Sequence, residues 1–455
     1  RDLHPRVRRQ RQMCIRDRYI IRSMRKMFSH CLKLSYKDTA QQNSYVTIPR
    51  AANSFDNTEI AANVDEDIID SLTGGRLVGS VTSFENFAEC PLRYYLRYGV
   101  DLKEREEFTF SPVNFGVVLH AVIREVCDEI KKNGESYYLI SEEKRREMVK
   151  RSVAAITDIY QNSILKDSSR NSFMIKRMED LADRTIWAMG EQLKCGDFVP
   201  FVFEHKFNME VGDGDRKQLM SGTIDRVDIC ENGTDVYVRI IDYKTGKKDF
   251  NIVKTYYGID IQLMVYMEAA MKLVAKMRPG KNVIPAGVFY YNISDPIVSA
   301  TTESAEEIED KIKGELRLKG MVNSDKDIAE KMDNTEGTSL NIPVSRKADG
   351  GFDSRRSKVM NTEQFNMLGR FVDVRAVDTA DRIAGGDIRR SPYKDGQFSS
   401  CDRCPYGAVC GFSVDLPGCN YRKLKKFDDE VLWNNIKEGV DENGKKMDTG
   451  AEERD

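Results

Sequence analysis

The sequence predicts a mixed α/β fold, on three observations. Residues 198–211, 217–230 and 234–245 alternate and are rich in Val, Ile, Phe and Tyr, which marks three strands. Charged segments with helical spacing flank them, from Gly116 to about Leu193, from about Tyr257 to Met277, and through much of 303–385. No window reaches the ~18 uninterrupted apolar residues of a membrane helix; the best, Leu263 to Val274, is broken by Glu268 and Lys272. Strands gathered mid-chain with helices around them make an α/β domain. The 455 residues, 40% apolar and 32% charged, are enough for an unstapled core and exclude collagen-like, coiled-coil and wholly disordered classes.

In chain order, the first segment, RDLHPRVRRQRQMCIRDR, lacks the apolar stretch of a secretory signal. It resembles a peptide made by reading through sequencing adapter in assembled environmental DNA, so residues 1–18 are expected to be a non-native leader and the natural N-terminus to be missing. Residues 19–77 are expected to be an upstream remnant and linker, polar and acidic from 38 and ending near Gly74-Gly75. A helix is predicted from about Ser83, where FENFAECPLRYYLRYGV spaces its apolar residues helically. A helical insertion spans about 120–195, and the strands of a core at about 198–295 follow, joined by turns at Gly212-Asp213-Gly214 and Asn232-Gly233. The helix after them leads to the strand VIPAGVFYYNI. From Ser391 to Cys419 the chain is rich in Gly, Pro and Cys, a loop held by something other than a core. These pieces make one domain over 78–425, and the charged tail 426–455 is expected to fray.

Charge narrows the function. Residues 1–37 carry twelve Lys or Arg against Asp2 and Asp17, so the rest of a chain of net charge −2 stands at −12. A nucleic-acid reading therefore needs a local basic groove, because bulk basicity is absent. The ten Cys, with no secretory signal, indicate reduced thiols in the cytoplasm, some of them metal ligands.

The most informative stretch is SGTIDRVDIC followed by VRIIDYKTGKK. Residues two apart on a strand point the same way, so Asp242 and Lys244 share a side, and Asp225 comes from the neighbouring strand. Two carboxylates and a carbonyl suit Mg²⁺, which keeps several waters. A lysine there can orient and help deprotonate the attacking water. DYKTG alone is equally a polar strand end and turn. Of four His, only His120 and His205 lie in the folded body, and a single His on an apolar helix is more often packed than ligating. Alternation turns His205 away from Glu204, which leaves it structural.

The order Gly116-x-x-x-His120, Glu204, Gly222-Thr-Ile-Asp225-Arg226-Val-Asp228, Asp242-Tyr-Lys244-Thr-Gly246 and Gln262-x-x-x-Tyr266 resembles the RecB-type nuclease domain of the PD-(D/E)XK superfamily. The resemblance implies a restriction-endonuclease-like mixed sheet flanked by helices. It implies His120, Asp225 and Asp242 as ligands of Mg²⁺ or Mn²⁺, Lys244 as catalytic, Gln262 and Tyr266 on one helical face near DNA, and Glu204 as a further acidic position.

Cys401-x-x-Cys404-x₅-Cys410 is a strong metal signal that lacks a fourth thiolate, which zinc and an iron–sulfur cluster both require. Cys419 would suit a local zinc knuckle, yet Cys90-Pro91 stands far upstream. One Cys before the core and three after it resembles the iron–sulfur nuclease domain of the AddB family, the B subunits of ATP-dependent helicase/deoxyribonucleases. That resemblance implies a [4Fe–4S] cluster on Cys90, Cys401, Cys404 and Cys410 pinning the C-terminal segment to the start of the domain. It also implies cleavage of single strands from unwound duplex ends, a helicase–nuclease A subunit as heterodimer partner, and double-strand-break repair by homologous recombination in the bacterial cytoplasm. No Gly-x-x-x-x-Gly-Lys-Ser/Thr phosphate loop is present, so no ATPase is expected of this chain. The alternatives are a CRISPR-associated Fe–S exonuclease, which is shorter, and a non-catalytic Fe–S DNA-binding module, for which Asp225, Asp242 and Lys244 together would be idle. Lys247-Lys248 fit phosphate contacts or a solvated surface equally, Tyr94, Tyr95 and Tyr98 fit packing near Cys90 better than base stacking, and Cys127, Cys195 and Cys230 are expected to be buried.

Overall fold

The computed structural model describes residues 63–65, 78–103, 112–159, 169–211, 218–299, 304–415 and 419–452. The leader, nearly all of 19–77, Cys14, Cys31 and the turn at Gly212-Asp213-Gly214 lie outside the described residues.

Strand β1 (Val78–Ser80) runs into α1 (Val81–Glu89), whose N-terminus is capped by the Ser80 hydroxyl accepting from Ser83 N at 3.2 Å. Cys90 ends α1 in extended backbone, and Pro91 opens the single turn α2 (Pro91–Tyr94). Three helices follow, α3 (Pro112–Lys132), α4 (Glu142–Ile159) and α5 (Ser169–Lys194). The predicted strands are β2 (Val199–Val211), β3 (Gln218–Asn232) and β4 (Asp235–Lys244). Helices α6 (Ile252–Tyr256) and α7 (Gln262–Met277) then cross to β5 (Asn282–Asn292). The helix expected from Tyr257 starts later, because Gly258 at φ +75° breaks the chain between α6 and α7.

Beyond β5 lie α8 (Ala305–Glu315), β6 (Lys319–Asn323), α9 (Lys326–Met332), β7 (Val359–Met360) and α10 (Thr362–Ala384). The Cys-rich segment folds as three short strands, β8 (Tyr393–Asp395), β9 (Phe398–Ser399) and β10 (Arg422–Lys423), around the turn α11 (Gly407–Cys410). The tail does not simply fray. Residues Asp429–Glu452 form α12, with Leu432 and Ile436 four apart and buried against the α7 and α10 side of the core.

Among the described residues one sheet carries seven strands, in the order β1-β3-β4-β5-β6-β7 with β2 also on β3. One core packs α3, α4 and α5 on a face of it through Leu119, Ile123, Val149, Ile186, Ile241 and Phe289. The other core packs α1, α7, α10 and α12 on the opposite face through Phe84, Val238, Ile240, Val265 and Phe371. Alternation along β4 sends Tyr237, Ile241 and Tyr243 to the first face and Val236, Val238 and Ile240 to the second. Asp242 and Lys244 share the second parity and face α7.

The feature that builds a site is a fork in this sheet. On one edge β3 pairs β2 along its length. On the other edge it pairs β4 only as far as Arg226↔Ile241, then takes β1 at Leu219, Met220 and Ser221. Gly222 to Asp225 therefore stand at an opening between β4 and β1. Strand β4 continues to Lys244 in parallel with β5.

Candidate metal and nuclease site

Asp225 stands where β3 and β4 part. Its Oδ2 accepts from Tyr243 N at 2.7 Å, so a carboxylate takes the backbone donor that the diverging ladder leaves unpaired. On the β2 side the register runs Phe203↔Arg226 and His205↔Ile224, which sets Glu204 opposite Asp225. Glu204 reaches it from a left-handed backbone, φ 48°, uncommon for a non-glycine residue. His120 arrives from α3, one turn after Gly116, whose bare Cα lies against Thr245 beyond β4. Its Nδ1 is 3.4 Å from Asp225 Oδ1 and 3.6 Å from Glu204 Oε1, and its ring meets Tyr243 edge-on. Among the described residues, His120, Glu204 and Asp225 are the one set of three His, Cys, Asp or Glu whose ligand atoms all lie within 4.8 Å of one another. One imidazole and two carboxylates form a donor set suited to a divalent cation.

Burial works against the charged form of His120, but hydrogen bonds to Asp225 and Glu204, and their charges, outweigh it and push the imidazole up to about 10. Asp242 is pushed up to about 7 by burial and by the charge of Asp225, against the pull of Lys244. Carboxylates crowded enough to resist ionisation are relieved by a cation between them. A divalent ion bound there supplies Lewis acidity toward a phosphate and a more acidic water.

The Lys244 ammonium lies 2.6 Å from Asp242 Oδ2 and donates to Gln262 Oε1 at 2.9 Å. Gln262 Nε2 in turn donates to Tyr266 OH at 3.0 Å. Gly222 lets Tyr266 approach, since a Cβ there would come within 3.0 Å of the ring and 2.7 Å of Phe207. Thus His120, Glu204 and Asp225 form one group, and beside it Lys244, Gln262 and Tyr266 form a hydrogen-bonded chain whose ammonium is ion-paired with Asp242. His205 is outside both.

Asp228, the last member of the Gly-x-x-Asp-Arg-x-Asp stretch, has a different place. It accepts from Arg226 at 2.7 and 2.6 Å and from Arg239 at 2.9 Å, fully buried. The two guanidinium charges outweigh its burial and hold its carboxyl below the usual range.

Three residues near the site were missed in the sequence. Glu85 of α1 takes Ile261 N and Gln262 N on one oxygen, each at 3.0 Å. Asp260 accepts from Tyr290 OH at 2.6 Å and pairs with Lys248 at 3.0 Å. Burial raises Glu85 to about 7, with Lys248 pulling down and Asp260 pushing up. Glu85 is 177 residues from Gln262, and no local pattern signals such a pairing. Lys248 is committed to Asp260 and the Tyr290 face, whereas Lys247 is exposed. Beside Thr245 a cavity carries seven basic residues, among them Arg177, Lys247, Arg317 and Lys319, against four carboxylates, of which Asp180 pairs with Lys176 and Asp249 with Lys358.

Cys90 is buried, and Cys401, Cys404 and Cys410 are half-buried. Burial raises the Cys90, Cys401 and Cys410 thiols, with backbone N–H groups of Arg93, Ser391 and Leu92 pulling Cys90 the other way. Four thiols are the donor set that a thiolate-ligated iron–sulfur cluster takes. Cys127 and Cys230 are buried as expected, but Cys195 is only half-buried, because it ends α5 and hydrogen-bonds Asn341 and Thr335. Tyr94 is buried and packs on Phe87 and Tyr98, while Tyr98 itself is exposed.

A forked mixed sheet with acidic groups and a lysine at the fork defines a metal-dependent nuclease class. The chain belongs to the PD-(D/E)XK nuclease superfamily, whose family model matches residues 79–411. It is also similar to proteins named as the B subunit of an ATP-dependent helicase/deoxyribonuclease. That of Lachnoclostridium phytofermentans is 34% identical over 399 residues, covering 85% of this chain and 34% of the relative. Those of Thermoanaerobacter sp. and Clostridium acetobutylicum are 33% and 34% identical over 380 and 383 residues, covering 81% and 82% of this chain and 33% of each relative. The chain thus spans about a third of the length of the curated relatives it matches. No helix among the described residues is long and apolar enough to cross a membrane.

Proposed function

We propose that this chain is the nuclease region of a helicase/deoxyribonuclease B subunit, a metal-dependent deoxyribonuclease that hydrolyses phosphodiesters of unwound DNA. The observation that carries the reading is the convergence of His120, Glu204 and Asp225 within 4.8 Å at the fork that also presents Asp242 and Lys244. Asp225, with His120, Asp242 and Glu204, holds Mg²⁺ or Mn²⁺. Lys244 orients the attacking water and steadies charge on phosphate, and Gln262 and Tyr266 hold Lys244 in place. The excess of basic over acidic residues in the cavity beside Thr245 supports a polyanionic strand as substrate. Cys90, Cys401, Cys404 and Cys410 ligate a [4Fe–4S] cluster within one domain over 78–425. The partner is the helicase–nuclease A subunit, the setting is double-strand-break repair by homologous recombination, and the compartment is the bacterial cytoplasm.

The test is cleavage of end-labelled single-stranded DNA by anaerobically purified chain with Mg²⁺. The expected result is cleavage that EDTA, Asp242→Ala and Lys244→Ala each abolish. A folded, iron-loaded parent that binds DNA yet cleaves no faster than these variants would sink the reading.

A further inference from the structure

We infer that Glu85 is a positioning residue for Lys244, acting through the first turn of α7. The inference rests on the nuclease reading above for its catalytic consequence. Helix α7 begins at Gln262 with Ile261 at the cap, and no side chain of its own caps it. The first amides of a helix lack partners within it, and a buried helix start needs acceptors from elsewhere. Glu85 supplies them, one oxygen receiving both Ile261 N and Gln262 N at 3.0 Å. Its placement at a helix N-terminus also suits a carboxylate.

The consequence reaches the lysine in two further bonds. Gln262 Oε1 accepts from the Lys244 ammonium at 2.9 Å, and Gln262 Nε2 is turned by Tyr266 OH at 3.0 Å. Fixing the Gln262 backbone therefore fixes the carbonyl oxygen that aims Lys244. Without it the ammonium keeps Asp242, 2.6 Å away, and the face of Tyr290, whose ring centre is 5.5 Å away. A misplacement of about 1 Å in a reacting group can cost roughly a hundredfold in rate.

Helix α1 is itself held from the other end of the domain. Arg422 donates to Ala88 O, and Ser400 Oγ donates to Glu89 O at 3.5 Å, both from the Cys-bearing C-terminal segment. Cys90 closes the helix five residues after Glu85. The chain of contacts thus runs from that segment through α1 and Glu85 to Gln262 and Lys244.

Two mild substitutions in the full chain separate acceptor geometry from charge. Glu85→Gln keeps a side-chain oxygen at full length and is expected to retain most of kcat. Glu85→Asp keeps the charge but withdraws the acceptor by one methylene, and is expected to lower kcat about tenfold or more while leaving KM for a DNA oligonucleotide nearly unchanged. In a Gln262→Ala background, Glu85→Asp should add little further loss. Hydrogen exchange across 258–266, read by mass spectrometry, should speed up in Glu85→Asp and stay as in the parent in Glu85→Gln. Unchanged exchange in Glu85→Asp overturns the proposal, as do equal losses in the two variants or losses that multiply with Gln262→Ala. If the parent shows no Lys244-dependent cleavage, the nuclease reading fails, and the exchange result still decides whether Glu85 holds α7.

Discussion

Asp228 and Asp225 lie three residues apart on β3 with opposite duties. Asp228 sits between the buried guanidinium groups of Arg226 and Arg239, and Arg239 also stacks over Phe198 at 4.8 Å. Removing one partner of a buried ionic group leaves charge with no compensation, which costs about 3–5 kcal/mol. Asp228→Asn is therefore expected to lower the urea midpoint severely, and Asp225→Asn to leave it nearly intact while abolishing cleavage. The Asp228 carboxyl is held below its ordinary value, so its share of stability is present above the unfolded range of about 4 and lost as pH falls through its folded value. In metal sites, replacing even a group that only supports a ligand costs about 10- to 100-fold in affinity. His120→Ala and Glu204→Ala should each weaken Mn²⁺ binding by at least about tenfold in calorimetry, whereas His205→Ala should not. Equal effects for all three would refute the assignment of the site to one face of β2.

At the scale of elements, α7 and α10 meet through carboxyl groups. Asp373 is pushed up to about 8 by burial and by its hydrogen bond to Glu268, with Lys272 pulling the other way. An acid whose folded value is raised favours the fold while protonated. Its contribution is fully present below the unfolded value of about 4 and falls away as pH rises toward 8. The parent should therefore lose thermal stability between pH 5 and 8.5, and Asp373→Asn should flatten that loss; an unchanged slope would remove this pair as its source. Asp373 and Glu268 also mark where the sequence stopped being legible. Strands β2 to β5 announced themselves by alternation, and Asp225, Asp242 and Lys244 by their place at strand ends. The break before α7 turned on Gly258, which looked like any glycine. The burial of α12 rests on Leu432 and Ile436 among charged neighbours, a stripe too sparse to separate from a solvated tail. Glu204 faces Asp225 from a backbone conformation that no alternation rule anticipates. The clamp of Glu85 on α7 is a tertiary contact with no local trace.

At the scale of the whole molecule, the C-terminal segment is held to the start of the domain by few contacts of its own. Arg422 and Ser400 reach the end of α1, Tyr406 OH donates to Leu102 O at 2.9 Å, Lys425 N donates to Tyr257 OH at 3.1 Å, and Asp395 pairs with Lys254 at 3.5 Å. Its strands are two or three residues long, too short for a stable sheet alone. Buried Tyr393, Tyr406 and Cys419 add little core. A link from Cys90 to Cys401, Cys404 and Cys410 would close a loop of more than three hundred residues, and the entropy of such a closure grows with length, which makes one covalent cluster worth several polar contacts. The main sheet has two cores independent of that link. Oxidative loss of the proposed cluster, or Cys404→Ala, is therefore expected to preserve far-ultraviolet circular dichroism while opening residues 400–415 to proteolysis. Because Cys90 caps the C-terminus of α1, which carries Glu85, the same lesion should also lower kcat before it lowers DNA affinity. Protease resistance unchanged after iron is lost would show that the short strands and these polar contacts suffice, and the cluster would then have no part in holding the segment.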